Sequence, residues 1–111
     1  MKIKNKDIKL LYCIGADCEL DDEMQKIGAV DFQQMLDVLG LAKTYAKVGA
    51  IMSKWYCIAN GGEPVTEQEF LLLPADALTD LVKLVIKAMD EGRKQEIKTK
   101  SKNAKSAARS K

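Results

Sequence analysis

The fold of this chain is organised around the stretch DFQQMLDVLGLAKTYAKVGAIMSKWYCIANGG, which covers residues Asp31–Gly62. Asp31 occupies an N-cap position, and Gln34 follows it at the spacing of a capping box, so a helix is expected to begin here. The two glycines that close the stretch can adopt the left-handed conformation that ends a helix. The sequence therefore predicts one long helix, with Gly40 as the place for any bend.

One side of this helix is apolar over about half of the circumference when residues are placed at 100° intervals. A surface helix needs an apolar stripe only about 100° wide, so more than one neighbour must cover this one. In a chain of this length, those neighbours can include another copy or a partner. The apolar side contains Met35, Val38, Leu39, Ala42, Tyr45, Ala46, Gly49, Met52 and Tyr56, and it is widened by Leu41, Val48, Trp55 and Ala59.

Alternating side chains over Asp7–Ile14, DIKLLYCI, predict a β-strand near the N-terminus. Its partner is expected to be residues 2–4, through a turn near Asn5, or a strand of another chain. A strand without a partner would leave its backbone hydrogen bonds unmade and would promote association. The side chains on one side of this strand are Ile8, Leu10, Tyr12 and Ile14.

Three further helices complete the expected fold. A short amphipathic helix follows the strand, with Asp17 as its candidate cap. Thr66 and Glu69 form a capping box for a second short helix, which should stop near Leu73 because proline follows. The last helix ends at Gly92. Its apolar stripe, interpreted as core, contains Leu78, Leu81, Val82, Val85, Ile86 and Met89.

The predicted fold class is mainly α, α+β at most. It consists of an N-terminal strand or small hairpin followed by four helices, two of them short, packed around the long central helix. Residues 1–92 form a single helical domain with this N-terminal strand. Residues 93–111 form a basic tail that is expected to be disordered, because it contains few side chains that could be buried.

Charge is distributed unevenly between the body and the tail. Residues 92–111 contain eight basic residues and one acidic residue, which gives 8 − 1 = +7, whereas the rest of the chain has 10 − 15 = −5. A basic tail on an acidic body can contact nucleic acid or another acidic surface. The simpler interpretation is that the tail is solvated.

Catalytic, cofactor and metal sites are not predicted. The chain has no histidine, which is the commonest acid–base group, and its three cysteines cannot complete a four-cysteine zinc site. The acidic cluster at residues 17–23 lacks the glycine and the bidentate glutamate of a calcium loop. No nucleotide-binding or nucleophile motif is present. We therefore expect a protein that is not an enzyme and that carries neither cofactor nor metal. Cys13, Cys18 and Cys57 are interpreted as small apolar side chains in a reducing compartment.

The order of these segments resembles the tail assembly chaperones of long-tailed, siphovirus-type bacteriophages that infect Gram-positive hosts. The segments that carry the resemblance are IKLLYCIGADCEL, the helix that ends in AIMSKWYCIANGG, PVTEQEFLLLP and LTDLVKLVIKAMDEG. They span residues 8–92, and the basic end is not included. The resemblance implies a chaperone that binds the tape measure protein and keeps it soluble during tail assembly. It also implies a homo-oligomer, a longer frameshift product of the same gene, and absence from the mature virion.

Other expectations come from the residues themselves. No apolar run is long enough for a membrane span and no signal peptide is seen, so we expect an intracellular protein. The resemblance implies that this compartment is the cytoplasm of the bacterial host. The alternative function is a small nucleic-acid-associated regulator that uses the basic tail. A structural or accessory module without a chaperone role ranks third. The candidate residues for a partner-binding or oligomer surface, each of which could instead belong to the core, are Leu10, Tyr12, Tyr45, Met52, Trp55 and Tyr56.

Overall fold

The computed structural model describes the backbone of residues 1–3 and 5–107 and the side chains of residues 1–3 and 5–93. Within that part, the chain forms a two-stranded antiparallel hairpin and five α-helices. This architecture confirms the predicted fold class. The elements are β1 (Lys2–Ile3), β2 (Lys6–Asp7), α1 (Ile14–Lys26), α2 (Phe32–Leu39), α3 (Leu41–Asn60), α4 (Glu67–Leu71), a 3-10 turn (Ala75–Ala77) and α5 (Leu78–Ala107).

The single long helix predicted from the sequence is divided into α2 and α3 by Gly40. Asp31 caps α2 as predicted, since its carboxylate accepts a hydrogen bond from the Gln34 amide at 2.9 Å. Gly40 has a φ of 87° and is both the C-cap of α2 and the N-cap of α3. This φ is open to glycine and strained for other residues, so the break falls here. The end of α3 is confirmed, because Gly61 follows it with a φ of 88°.

The predicted strand at Asp7–Ile14 is wrong over most of its length. Only Lys6–Asp7 is paired, antiparallel to Lys2–Ile3, which confirms a partner near the N-terminus. Beyond β2 the chain has no regular secondary structure until α1. It crosses α3 instead, where the Leu11 amide donates a hydrogen bond to the Met52 carbonyl at 3.1 Å. The alternating pattern therefore reflects a segment that packs on a helix rather than on a neighbouring strand.

Helix α1 begins earlier than the sequence predicted. Its N-cap is Cys13, and Asp17, the predicted cap, lies in the first turn. An acidic side chain is favourable there because it faces the positive end of the helix dipole. The ring of Trp55 lies so close to Gly15 that a Cβ at this position would collide with it.

The second half of the chain confirms the Thr66 capping box and corrects the end of α5. The Thr66 hydroxyl accepts a hydrogen bond from the Glu69 amide at 3.1 Å, and the Glu69 carboxylate accepts one from the Thr66 amide at 3.0 Å. Gly92 was predicted to end the last helix, but α5 continues through it. A Cβ at Gly92 would meet the carbonyl of Tyr12, so the absence of a side chain here lets the N-terminal segment approach α5 closely. The disorder predicted for the tail stays a prediction, because its side chains and residues 108–111 lie outside the described part.

The hydrophobic core lies around α3, which contacts α1, α2, α4 and α5. This confirms that more than one neighbour covers the apolar side of the central helix, and these neighbours belong to the same chain. Burial of such side chains is the main favourable contribution to folding, at about 25 cal/mol per Å² of apolar surface. The buried apolar residues include Leu20, Met35, Tyr45, Val48, Met52, Phe70, Leu81, Val85 and Met89.

A candidate partner-binding surface

Two of the six candidate partner-binding residues, Tyr45 and Met52, are core residues. Met52 is fully buried, and Tyr45 packs edge-on against Phe32 with ring centroids 5.7 Å apart. In this conformation they belong to the core, which was the alternative for each candidate, and α2 packs on α3 beside Tyr45. Burial also raises the pKa of the Tyr45 phenol. The apolar side that the sequence offered for a partner is therefore occupied by the chain itself.

Trp55, the third candidate, holds α1 against α3. Its ring covers Gly15, and its indole Nε1 donates a hydrogen bond to Glu19 Oε1 at 2.9 Å. The same carboxylate oxygen lies 2.6 Å from Lys54 Nζ, and this ammonium group is 5.9 Å from the centre of the Trp55 ring. A buried tryptophan whose N–H has found a partner is typical of structural packing. The indole is half-buried, and its contacts lie within the chain.

Tyr12, the fourth candidate, joins the N-terminal segment to α5. Its hydroxyl donates a hydrogen bond to Asp17, and the guanidinium of Arg93 lies 5.7 Å from the centre of its ring. Burial and the carboxylate of Asp17 raise the pKa of Tyr12 to about 12. The Tyr12 carbonyl also lies against Gly92, so Tyr12 holds α5 in place from the side that faces the core.

Leu10 and Tyr56, the last two candidates, are both half-buried. Leu10 packs against the core from the N-terminal segment. Tyr56 lines an open groove of about 650 Å³ between the hairpin and the loop that follows α3, which we call the N-terminal groove. Its wall combines apolar surface with charged side chains such as Lys6, Lys9 and Glu63. The structure thus does not bring the six candidates together into one surface.

A second groove, with a mainly apolar wall, was not predicted from the sequence. A groove of about 250 Å³ opens where the start of α3, the end of α4 and the start of α5 meet, and we call it the α4–α5 groove. Its wall is almost entirely apolar, which is typical of a site that accepts apolar side chains. The residues that define it are Ala42, Phe70, Leu71, Leu73, Leu78 and Leu81.

An exposed apolar strip extends the groove along α5. Leu78, Val82 and Ile86 follow each other at intervals of four residues, so they lie on one side of the helix. Leu78 and Val82 are half-buried, and Ile86 is 44% exposed. Leu72, which lies between the groove residues Leu71 and Leu73 in the chain, is 83% exposed. The apolar stripe predicted for this helix is therefore split, since Leu81, Val85 and Met89 are buried in the core, Leu78 and Val82 are half-buried, and Ile86 is exposed.

A signal for this surface was present in the sequence. The stripe predicted for α5 was too broad for one contact, by the same criterion that was applied to α3. All six of its members were assigned to the core, because the surplus apolar face was attributed to the central helix. Only the packing shows which of the two helices keeps a free face.

A cluster of ion pairs lies on the side where α1, α3 and α4 meet. Lys47 Nζ is 3.3 Å from Glu23 Oε1 and 3.1 Å from Glu67 Oε1. The hydrogen bond from Lys26 lowers the pKa of the Glu23 carboxyl, and Lys47 lowers it further. Burial alone would lower the pKa of Lys47, but its contacts with Glu67 and Glu23 outweigh burial and raise it. These pairs join three helices and need no external ligand.

Features of metal sites and membrane spans are not found in the described residues. Among them, no group of three or more histidine, cysteine, aspartate or glutamate side chains is arranged to hold a metal ion. Their three cysteines are free thiols. None of the helices in this part of the chain combines the length and the hydropathy that a membrane crossing requires.

Comparisons with protein-family models, with curated proteins and with solved structures gave no match to this chain. The resemblance to tail assembly chaperones thus stands on the order and pattern of the sequence segments. The surface described above supplies the physical evidence on function.

Proposed function

We propose that this chain is a non-catalytic binding module that holds an amphipathic helix of another protein in the α4–α5 groove. The observation that carries the proposal is an apolar groove that continues through the half-buried Leu78 and Val82 to the exposed Ile86. Contiguous exposed apolar surface on a globular protein commonly marks an interaction site. Leu72, which follows the groove residue Leu71 in the chain, is also largely exposed.

The dimensions of the surface suit a helical ligand. Eight residue steps separate Leu78 from Ile86, so the strip runs about 12 Å along α5 at 1.5 Å per residue. That length matches about two turns of a docked helix, whose apolar side chains recur at three- and four-residue spacing. The outer side of α5 carries exposed Asp80 and Lys83, which provide a polar rim on one side of the strip. Interfaces commonly combine an apolar centre with such a rim.

The resemblance to tail assembly chaperones implies which protein is bound, and we call that protein the client. In this proposal the bound helix belongs to the tape measure protein, a long and largely helical chain that needs its apolar side covered before the tail tube forms. The protein acts in the cytoplasm of the bacterial host, together with a longer frameshift product, and it is absent from the finished virion. No cofactor takes part.

Co-expression with the tape measure protein tests the proposal. The full chain should keep the client soluble and co-purify with it, and Ile86→Lys should abolish both effects because it places a charge in the apolar strip. Ile58→Lys is the matched control, since Ile58 is also an exposed isoleucine on a helix but lies on α3, outside the groove. A client that stays insoluble with the wild-type chain and with its longer form would refute the chaperone function.

The charge asymmetry supports a second candidate, a nucleic-acid-associated regulator. The +7 charge of residues 92–111 would contact phosphates, and such binding weakens steeply as salt concentration rises. Retention on DNA that disappears when residues 94–111 are removed would favour this function. Client binding that survives both the truncation and high salt would favour the groove.

A further inference from the structure

The hinge between α2 and α3 consists of one residue. The Gly40 amide donates a hydrogen bond to the Leu36 carbonyl at 2.8 Å, which closes α2. The Gly40 carbonyl accepts one from the Thr44 amide at 3.1 Å, which opens α3. Both flanking segments are already helical, so a change in the backbone angles of Gly40 alone would join them into one helix.

The sequence around the hinge favours that joined helix. Residues 32–60 contain no proline, and Gly40 is the only residue among them whose φ departs to positive values. In an uninterrupted helix, Val38, Leu41, Tyr45 and Met52 would fall within about 60° of each other on one side. In the folded-back conformation that alignment is lost. Val38 is 60% exposed and Leu41 is 49% exposed, whereas Tyr45 and Met52 are buried.

The contacts between α2 and α3 can be made equally well between two copies. Within one chain they include the Phe32–Tyr45 ring pair and a hydrogen bond from the Thr44 hydroxyl to the Met35 carbonyl at 3.3 Å. If the hinge opens, α2 leaves its own α3 and can occupy the same place on the α3 of a second copy. Exchange of an identical element through a short hinge is a common route to dimers.

We propose that this chain forms a domain-swapped dimer in which α2 and α3 join through Gly40 into one helix. Residues 1–39 of each copy then pack on α3, α4 and α5 of the other. The two hinges cross near the two-fold axis, so Val38 and Leu41, which flank the hinge, become buried there. The dimer thus accounts for two large apolar side chains that the folded-back chain leaves in solvent. The proposal does not depend on the identity of any client.

Gly40→Ala is the first test, because the space around Gly40 is open. No heavy atom lies within 4 Å of a Cβ placed there, so the substitution acts through the backbone alone. Alanine disfavours the φ of 87° that the folded-back chain requires, and it favours the joined helix. Each dimer contains two such hinges, so the gain in stability counts twice. We expect the dimer dissociation constant to fall at least about tenfold in sedimentation equilibrium. Gly28→Ala is the control, since Gly28 also has a positive φ of 73° and open space but no helix to join.

Leu41→Pro is the second test and acts in the opposite direction. Leu41 is the first residue of α3, where proline is tolerated, but it would be an interior residue of the joined helix, where proline breaks the structure. We expect this variant to stay monomeric at concentrations where the wild type dimerises. Leu41→Ala is the control, because it removes the same side chain without restricting the backbone.

The two tests together decide the proposal. It is supported if Gly40→Ala shifts the equilibrium to dimer and Leu41→Pro abolishes the dimer that Leu41→Ala retains. It is overturned if Gly40→Ala folds and gives no more dimer than Gly28→Ala, or if Leu41→Pro dimerises as well as the wild type. If Gly40→Ala fails to fold, the proline and alanine variants at position 41 decide alone. A wild type that is monomeric at every accessible concentration, with Gly40→Ala monomeric too, also overturns it.

Discussion

Helices α3 and α5 both carry an apolar stripe that is too broad for one neighbour, yet the structure treats them differently. Helix α3 lies in the middle of the chain's contacts and is covered by α1, α2, α4 and α5. Helix α5 packs with one side only, so Leu81 and Val85 are buried while Ile86 remains 44% exposed. The comparison shows that surplus apolar surface becomes available to a partner on the helix at the edge of the fold, rather than on the helix with the longest stripe.

The largest expected effect is on the free energy of unfolding, and it separates a buried residue of α3 from an exposed residue of α5. Met52→Ala should lower the free energy of unfolding by about 2–5 kcal/mol, because it removes a fully buried side chain and leaves a cavity. Ile86→Ala should cost less than about 1 kcal/mol, because much of that side chain is already in solvent. Urea unfolding of both variants measures the contrast. Equal losses would mean that the outer side of α5 is as well packed as α3.

Gly92→Ala tests whether the inner side of α5 is fixed in place. In an exposed helix, this substitution usually stabilises by about 1 kcal/mol. Here the new Cβ would meet the carbonyl of Tyr12, so we expect a loss of about 1–3 kcal/mol instead. Thermal unfolding gives the sign, with Asp90→Ala as an exposed control on the same helix. A stabilised Gly92→Ala protein would show that the N-terminal segment does not pack there.

A further effect on stability appears at alkaline pH. The folded chain holds the pKa of Tyr12 at about 12, above its ordinary value of 10.0. A group whose pKa is raised on folding contributes stability that is complete below the unfolded pKa and is lost as pH rises through the folded one. Between about pH 9 and about pH 12, the wild type should therefore lose more stability than Tyr12→Phe.

The comparison with Tyr12→Phe is needed because other groups also titrate at alkaline pH. The pKa values of Lys47 and Tyr45 are also raised, so only the difference between wild type and Tyr12→Phe is informative. Absorbance of the phenolate should show a titration near pH 12 in the wild type that the variant lacks. Parallel pH curves for the two proteins would contradict the contacts described for Tyr12.

Three local signals were reliable in this sequence, although the predicted cap at Asp17 was not. The caps at Asp31 and Thr66 and the end of α3 at Gly61 lie where the residues placed them. Each of these depends on a hydrogen bond or a backbone angle within a few residues, so the residue types at those positions indicate it directly. The fold class followed from them.

Features that depend on distant packing were predicted poorly. The extended segment before α1 was interpreted as a strand, because a chain that crosses a helix can alternate its side chains as a strand does. Gly92 was interpreted as a helix end, because its contact with Tyr12 is invisible without the fold. For the same reason, Tyr45 and Met52 were candidates for a partner surface with the core as the alternative, since nothing near them in sequence shows which segments pack against them.

The central claim is that a helical partner docks along the outer side of α5, and site-specific photo-crosslinking tests it most directly. A photoreactive residue would replace Ile86 on the exposed strip or, as the control, Ile58 at the end of α3. After co-expression with the tape measure protein and irradiation, the account predicts a covalent adduct with the client from position 86 and none from position 58. An adduct that forms from position 58 and not from position 86 would contradict it.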